Sequence, residues 1–291
     1  VYFFANKEVE VTHPAEQFLL NDSAYLSDVV GFSRFDISTK DTFSFSYYTI
    51  KTLQDIIKFH LKDDKPDALI DADLIRLKYV FSNSVNRNKK SLYLKALEYL
   101  DGRFSDNPYS SMVKYRIARV YYSAGNKQDA DSGKNENGGL KTAHRICNDA
   151  ISSYPESEGA KFCRYLISEI EEKSVGLKLE EYNIPDKPFR SLVTYRNLNK
   201  IYFRILKTSY EELDRFNLGV ADYRRSDFTR IQIDSIKKRI PVCEFSANLP
   251  SGDDFRTHKA EVRIPPLPHG EYILLAGTDS NFSYSENAVA Y

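Results

Sequence analysis

The hydrophobic residues of this 291-residue chain change their period near residue 175, and no other feature limits the fold so tightly. From about Ser44 to Lys173 they recur at steps of three to five, which places them on one face of a helix. Tyr48, Leu53, Ile56, Ile57 and Leu61 predict a first amphipathic helix, Leu69 to Val80 a second, and Leu92 to Phe104 a third that stops before Pro108. Met112 to Tyr122 predict a fourth, with Gly125 expected in the left-handed conformation just past its end. Leu140 to Tyr154 and Ser157 to Ile170 complete the series. Short breaks between consecutive helices imply antiparallel hairpins. Before Ser44, Phe18, Leu19, Leu20, Val29, Val30 and Phe32 fit either short helices or a packed loop.

After about Val175 the period becomes two. Thr257 to Ile264 sets His258, Ala260, Val262 and Ile264 against Lys259, Glu261 and Arg263 before Pro265 and Pro266 end it, the alternation of a strand with one buried face. Lys200 to Leu206 sets Ile201, Phe203 and Ile205 against Tyr202, Arg204 and Leu206, and Tyr272 to Ala276 and Ala288 to Tyr291 are shorter strands. Strands of this length over roughly 110 residues fit an antiparallel sandwich. Asn183 to Pro188, with two prolines, is its junction or first turn.

Composition narrows function more than fold. Lys and Arg number 41 and Asp and Glu 41, so no whole-chain field draws the protein to nucleic acid or anionic membranes. No stretch approaches the roughly 18 apolar residues of a membrane span. The chain opens at Val1 and its one Met is Met112, so the expectation is a processed chain or a fragment. Its three cysteines are too few to frame a fold with disulfides.

The chemical candidates are sparse. His13, His60, His144, His258 and His269 are scattered, without the i, i+4 pairing of a zinc helix. Cys147 and Cys163 lie equally far either side of Pro155 and so at matching heights on two antiparallel helices; two small buried thiols are expected rather than a disulfide. Asp129, Asp131, Asn135, Glu136 and Asn137 gather oxygen ligands, but Gly133 comes too early for a calcium-binding hand and no acidic residue closes the loop; a solvated insertion is expected. Lys237, Lys238 and Arg239, with Arg224 and Arg225, mark either a site for an acidic partner or a solvated edge. Acidic pairs such as Asp71 with Asp73, or Glu180 with Glu181, belong to no cleft that the sequence defines. Nucleophile elbows, phosphate loops and dinucleotide glycine fingerprints are missing. The chain is therefore expected not to be an enzyme, with no catalytic, cofactor-binding or metal residue and no cofactor.

Two resemblances sharpen this. Tyr115, Ala118, Tyr122 and Gly125, then Ala143, Ala150, Tyr154 and Pro155, then Gly159 and Ala160 resemble the tetratricopeptide pattern of small residues at helix crossings. The polar insertion from Lys127 to Gly139 lengthens the spacing beyond the standard repeat, so the region is TPR-like; Leu69 to Phe104 fits the scheme more loosely. The passage from Ile184 and Pro185 through Phe189, Thr194, Tyr195, Arg196, Asn197 and Lys200 to Ile205, with the later Leu267, Pro268, Gly270, Tyr272 and Leu274, resembles the first macroglobulin-type domain of Bacteroidetes alpha-2-macroglobulin family proteins. Phe59, His60, Ala68, Asp73, Leu74, Arg76 and Leu77 are similar to the segment that precedes it there.

That resemblance implies a secreted, periplasmic or cell-surface protease trap, armed in some members by a Cys-x-Glu-Gln thioester. Here Cys147, Cys163 and Cys243 lead into Asn148-Asp149, Arg164-Tyr165 and Glu244-Phe245, so this stretch can contribute scaffold or recognition but not covalent capture. The expected architecture is α+β in separate domains, a TPR-like helical domain at 1–175 and a macroglobulin or fibronectin-like antiparallel β-sandwich at 176–291. Expected partners are further domains of the same full-length chain and, through them, proteases. The alternatives are a TPR-type adaptor for a peptide or partner subunit, and a glycan-binding module that needs a ring of exposed aromatics on the sandwich.

Overall fold

The computed structural model describes residues 16–126, 138–180, 182–215, 236–250, 252–282 and 288–290. The chain is mixed α+β and divides into two units, Val1–Ser168 and Glu169–Tyr291.

The first unit is helical. A 3₁₀ turn at Ser23–Leu26 and α1 (Val29–Arg34) precede α2 (Phe45–His60), α3 (Asp67–Asn83), α4 (Lys89–Arg103), α5 (Ser110–Asn126), α6 (Gly139–Ser153) and α7 (Glu158–Glu171), whose last turn passes into the second unit. Several starts are written locally. Asp28 Oδ1 accepts the amides of Val30 and Gly31 at 3.0 and 2.9 Å, and Ser44 Oγ accepts that of Tyr47 at 3.2 Å; each satisfies donors that a helix start leaves open, a contribution of about 1 kcal/mol. Ile50 and Ile57 of α2, Ile70, Leu77 and Val80 of α3, Leu97 and Leu100 of α4 and Val113 of α5 share one core. Phe18, Leu20, Tyr25, Val29 and Phe32 enter the same core, so the segment before Ser44 is tied down through its apolar side chains, with short helical turns between them.

At the crossings small residues set the spacing. Gly125 corrects the expectation placed on it: α5 runs on to Asn126, and Gly125 is buried within it. A Cβ there would lie 2.8 Å from Leu140 Cγ and 3.0 Å from Leu140 N. It is a close-approach glycine against α6 rather than a helix stop, and the left-handed glycine is Gly138 (φ 122°), at the N-cap of α6. Ala118, Ala143, Ala150 and Ala160 are fully buried.

Among its described residues the second unit holds seven strands: β1 (Ser174–Lys178), β2 (Phe189–Arg196), β3 (Lys200–Thr208), β4 (Cys243–Asn248), β5 (Thr257–Ile264), β6 (Glu271–Gly277) and β7 (Ala288–Ala290). They form a three-stranded sheet of order β1-β2-β5 and a four-stranded sheet of order β4-β3-β6-β7, with every pairing antiparallel. Val193 and Tyr195 of β2, Val262 and Ile264 of β5, Ile201, Phe203 and Ile205 of β3, and Leu274 and Ala276 of β6 meet in one core. Strands β3 and β6 are covered on their other face as well, where Leu206, Ile273 and Leu275 pack with Ile236 and Phe282. Leu206 therefore belongs to a second apolar cluster and not to a wet face. A short helix, α8 (Tyr210–Arg215), follows β3 in a region whose sequence pattern predicted strands. Asn183 to Pro188 lies between β1 and β2 and is the first turn of the sheets; Asp186 takes a left-handed conformation (φ 58°) and its amide donates to Leu267 O at 2.8 Å.

Candidate binding site

Helices α3, α5 and α7 line a groove of about 590 Å³ in the first unit. Leu74, Ile75 and Tyr79 come from α3, Met112, Tyr115 and Arg116 from α5, and Glu158 and Phe162 from α7. The i, i+3 and i+4 steps put those side chains on one face of each helix. Tyr115 and Phe162 stack at 5.2 Å with 28° between their planes. Tyr79 Oη donates to Ser46 Oγ at 3.1 Å, and Tyr109 Oη to Asp71 Oδ1 at 3.2 Å. Burial first, then the Asp71 charge and hydrogen bond, raise the Tyr109 phenol above its ordinary value. The rim charges Asp71, Lys78 and Glu158 are exposed. Arg116 differs from them. It is half-buried, its Cζ lies 5.7 Å from the centroid of the Tyr115 ring, and its Nε is buried without an acceptor.

A second cavity, of about 350 Å³, lies in the other unit between the β1–β2 turn and the β5–β6 connection. Ile184, Pro185, Phe189, Leu267, Pro268 and Tyr272 give it apolar walls. Tyr272 stands at the start of β6, partly buried against the sheet core, and its Oη reaches back to donate to Pro268 O at 3.1 Å. Tyr182 and Ile184 are strongly exposed at this mouth.

The residues singled out by chemistry alone are dispersed. His60 Nδ1 lies 2.6 Å from Asp63 Oδ2, His144 contacts Asn148, His258 Nε2 lies 2.8 Å from Asp254 Oδ1, and His269 lines the cavity beside Tyr272. His13 lies outside the described residues, as do Glu181, Arg224, Arg225 and the stretch from Asp129 to Asn137. Burial pushes the Asp254 carboxyl up, but the Arg256 amide, the His258 hydrogen bond and the nearby positive charges outweigh it and hold the group below its ordinary value. Among the described residues no group of three or more His, Cys, Asp and Glu is placed to hold a metal ion. Asp71 and Asp73 separate: Asp71 is exposed, whereas Asp73 is buried against Arg76. Arg239 is committed to Glu212 Oε1 at 2.8 Å and Lys207 O at 2.7 Å.

Cys147 and Cys163 are both free thiols with no exposed surface. Their mutual hydrogen bond and then burial raise the Cys147 thiol above its ordinary value, and the same hydrogen bond lowers Cys163; with neither thiol reaching solvent, the pair is closed to an outside electrophile. Sequence reasoning missed Arg116. Its one signal is the step of four from Met112, which sets a cation on a face otherwise apolar and aromatic. Among the described residues no helix is long and apolar enough to cross a membrane. No protein-family model matches the chain, and no curated protein matches it.

Proposed function

We propose that this chain is a non-catalytic scaffold and recognition region, the N-terminal part of a bacterial alpha-2-macroglobulin-like protease trap at the cell surface or in the periplasm. In this reading TPR-like hairpins precede a first macroglobulin-type, fibronectin-like sandwich. The observation that carries it is the Tyr272 corner. In immunoglobulin-like sandwiches a tyrosine near the start of the sixth strand donates its hydroxyl to backbone a few residues upstream. The Leu267-Pro268-x-Gly270-x-Tyr272 run, one of the segments on which the resemblance rests, builds that bond to Pro268 O at the entry to the sixth of the seven strands among the described residues. The three-plus-four strand order supports the same reading, and the buried glycines and alanines at the α5–α6 crossing support the TPR-like one.

Such a region contributes a frame. A trap that changes shape when cut needs domains that keep theirs. Limited proteolysis of the full-length protein, with mass mapping of the first cut and a hydrodynamic radius before and after, tests this. The expected first cut lies outside residues 1–291 and is followed by compaction, while the fragment alone inhibits no protease. A first cut inside these helices or strands, or no compaction, overturns the assignment. One observation favours a second reading, that the helical unit is an adaptor: the groove on α3, α5 and α7, with its aromatic wall and an arginine whose Nε has no acceptor.

A further inference from the structure

The geometry points to the α3–α5–α7 groove as the docking site for an extended segment of a partner protein, one that carries an aspartate or glutamate beside an aromatic or aliphatic side chain. The inference rests on the recognition role of the helical unit and is independent of the macroglobulin resemblance.

Charge sets the first requirement. Arg116 is the lining cation that is drawn in from water, and its Nε is buried without an acceptor. No hydrogen bond or ion pair among the described residues engages its guanidinium, whereas Arg76, which is fully buried in this unit, has all three of its nitrogens paired. A guanidinium with one nitrogen buried and unpaired and no anion beside it is under-satisfied, and the fork geometry of a carboxylate is the natural complement of the edge it still presents. The exposed carboxylates of the rim do not fill that role: Asp71 accepts from Tyr109, and neither Asp71 nor Glu158 pairs with Arg116.

Shape sets the second requirement. Tyr115 and Phe162 form a stacked wall, and Leu74, Ile75 and Met112 line the rest of the groove. Rigid rings contribute apolar contact at small entropic cost, and a carboxylate docked next to them sits in a partly dry setting, where its pairing with Arg116 is stronger than in water. Single-stranded nucleic acid also combines anions with stacking bases, but one lining arginine among balanced rim charges falls short of the basic track that a phosphate backbone needs.

The test uses the whole chain. A displayed library of random linear 12-residue peptides is panned against it, and the enriched sequences are synthesised with a fluorophore and titrated by anisotropy. The expected result is enrichment of Asp or Glu next to an aromatic or aliphatic residue, with affinity falling about thirtyfold or more in Arg116→Gln, as for loss of one partner of a desolvated charge pair. Phe162→Ala, a change on the exposed face of α7, should weaken the same peptides about tenfold while the thermal melt stays in place, which keeps the test informative if Arg116→Gln folds poorly. Arg190→Gln, in the other unit, should change nothing. Failure to enrich any sequence, enrichment without carboxylates, or affinity indifferent to both groove variants overturns the inference, and so does tighter binding of a labelled single-stranded DNA than of any peptide. None of these results alters where the full-length protein is cut, so the inference and the trap reading fail separately.

Discussion

Arg76 shows how far one side chain can commit a segment with little regular structure. It has no exposed surface. Its Nε donates to Asp73 Oδ1 at 2.7 Å, Nη1 to Tyr25 O at 2.8 Å and Nη2 to Ser27 O at 2.9 Å, while its Cζ lies 4.4 Å from the centroid of the Phe32 ring. One cation thus fastens the 3₁₀ turn and α1 to α3. Burial raises the Asp73 carboxyl above its ordinary value, and the Arg76 charge and hydrogen bond pull against that. Arg76→Met should therefore cost about 3–5 kcal/mol, because it strands a buried anion and two backbone carbonyls. The sign with pH follows. Without Arg76 the folded-state pKa of Asp73 rises further above its unfolded value; the contribution of that group is full below the unfolded value and is lost as pH rises through the raised one. Urea unfolding should show Arg76→Met closer to the parent protein at about pH 4 than at pH 7, where ordinary carboxylates are ionised, and Asp73→Asn should restore part of the neutral-pH loss. Equal deficits at both pH values would refute this account of Arg76. The sequence marked Arg76 only through resemblance, since a charged residue between Ile75 and Leu77 looks like any solvated helix position until its acceptors are known.

At the scale of elements, the glycines separate by what surrounds them. Gly159 lies in the first turn of α7, where an added Cβ would meet Met112 N and Ser111 C at 2.3 Å. Those are backbone atoms, so the two helix starts would have to part. Gly102, near the end of α4, has nothing within 4 Å of the same position. Gly159→Ala should destabilise by about 1–3 kcal/mol through overpacking, while Gly102→Ala should stabilise by about 0.5–1 kcal/mol through helix propensity. Denaturant midpoints that move in the same direction for both would contradict this packing account. The contrast also explains which elements were legible. Helices α2 to α7 announce themselves because each buries a broad stripe. Strand β1 is an edge with Gly176 and no fully buried residue, so its period is faint. Strand β2 includes a buried Ser191 in its inward set, and β4 buries its inward side only halfway. Gly125 reads as a helix stop in sequence because chain order does not reveal Leu140 against it. The groove at Arg116 was illegible for the same reason, being assembled from three helices that lie far apart along the chain.

For the whole molecule, the separation of cores argues that each half folds by itself. The core cluster described in the helical unit draws on residues from Phe18 to Ile117, with Val120, Tyr121 and Ile146 packed against it; the clusters of the second unit begin at Val175 and end at Phe282, and no side chain is common to both sets. A domain with its own core and enough buried apolar surface carries its own folding free energy. Lys173 falls between α7 and β1, and cutting after it leaves both elements whole. Within the second unit, Arg196 and Asn197 donate to the carbonyls of Glu169, Ile170 and Glu172 at 2.8 to 3.1 Å, so a fragment meant to keep that unit intact must start at Glu169. We therefore expect residues 1–173 and 169–291, expressed as separate chains, each to unfold cooperatively, the first with a helical and the second with a β-rich circular dichroism spectrum. Their spectra should sum to that of the parent chain apart from the shared residues. A second fragment starting at Ser174 should be less stable than the one starting at Glu169, because Arg196 and Asn197 lose their acceptors and are left with water. Non-cooperative melting of either longer fragment would mean that the two cores depend on one another, and the scaffold would then have to be treated as one folding unit despite the change of period near residue 175.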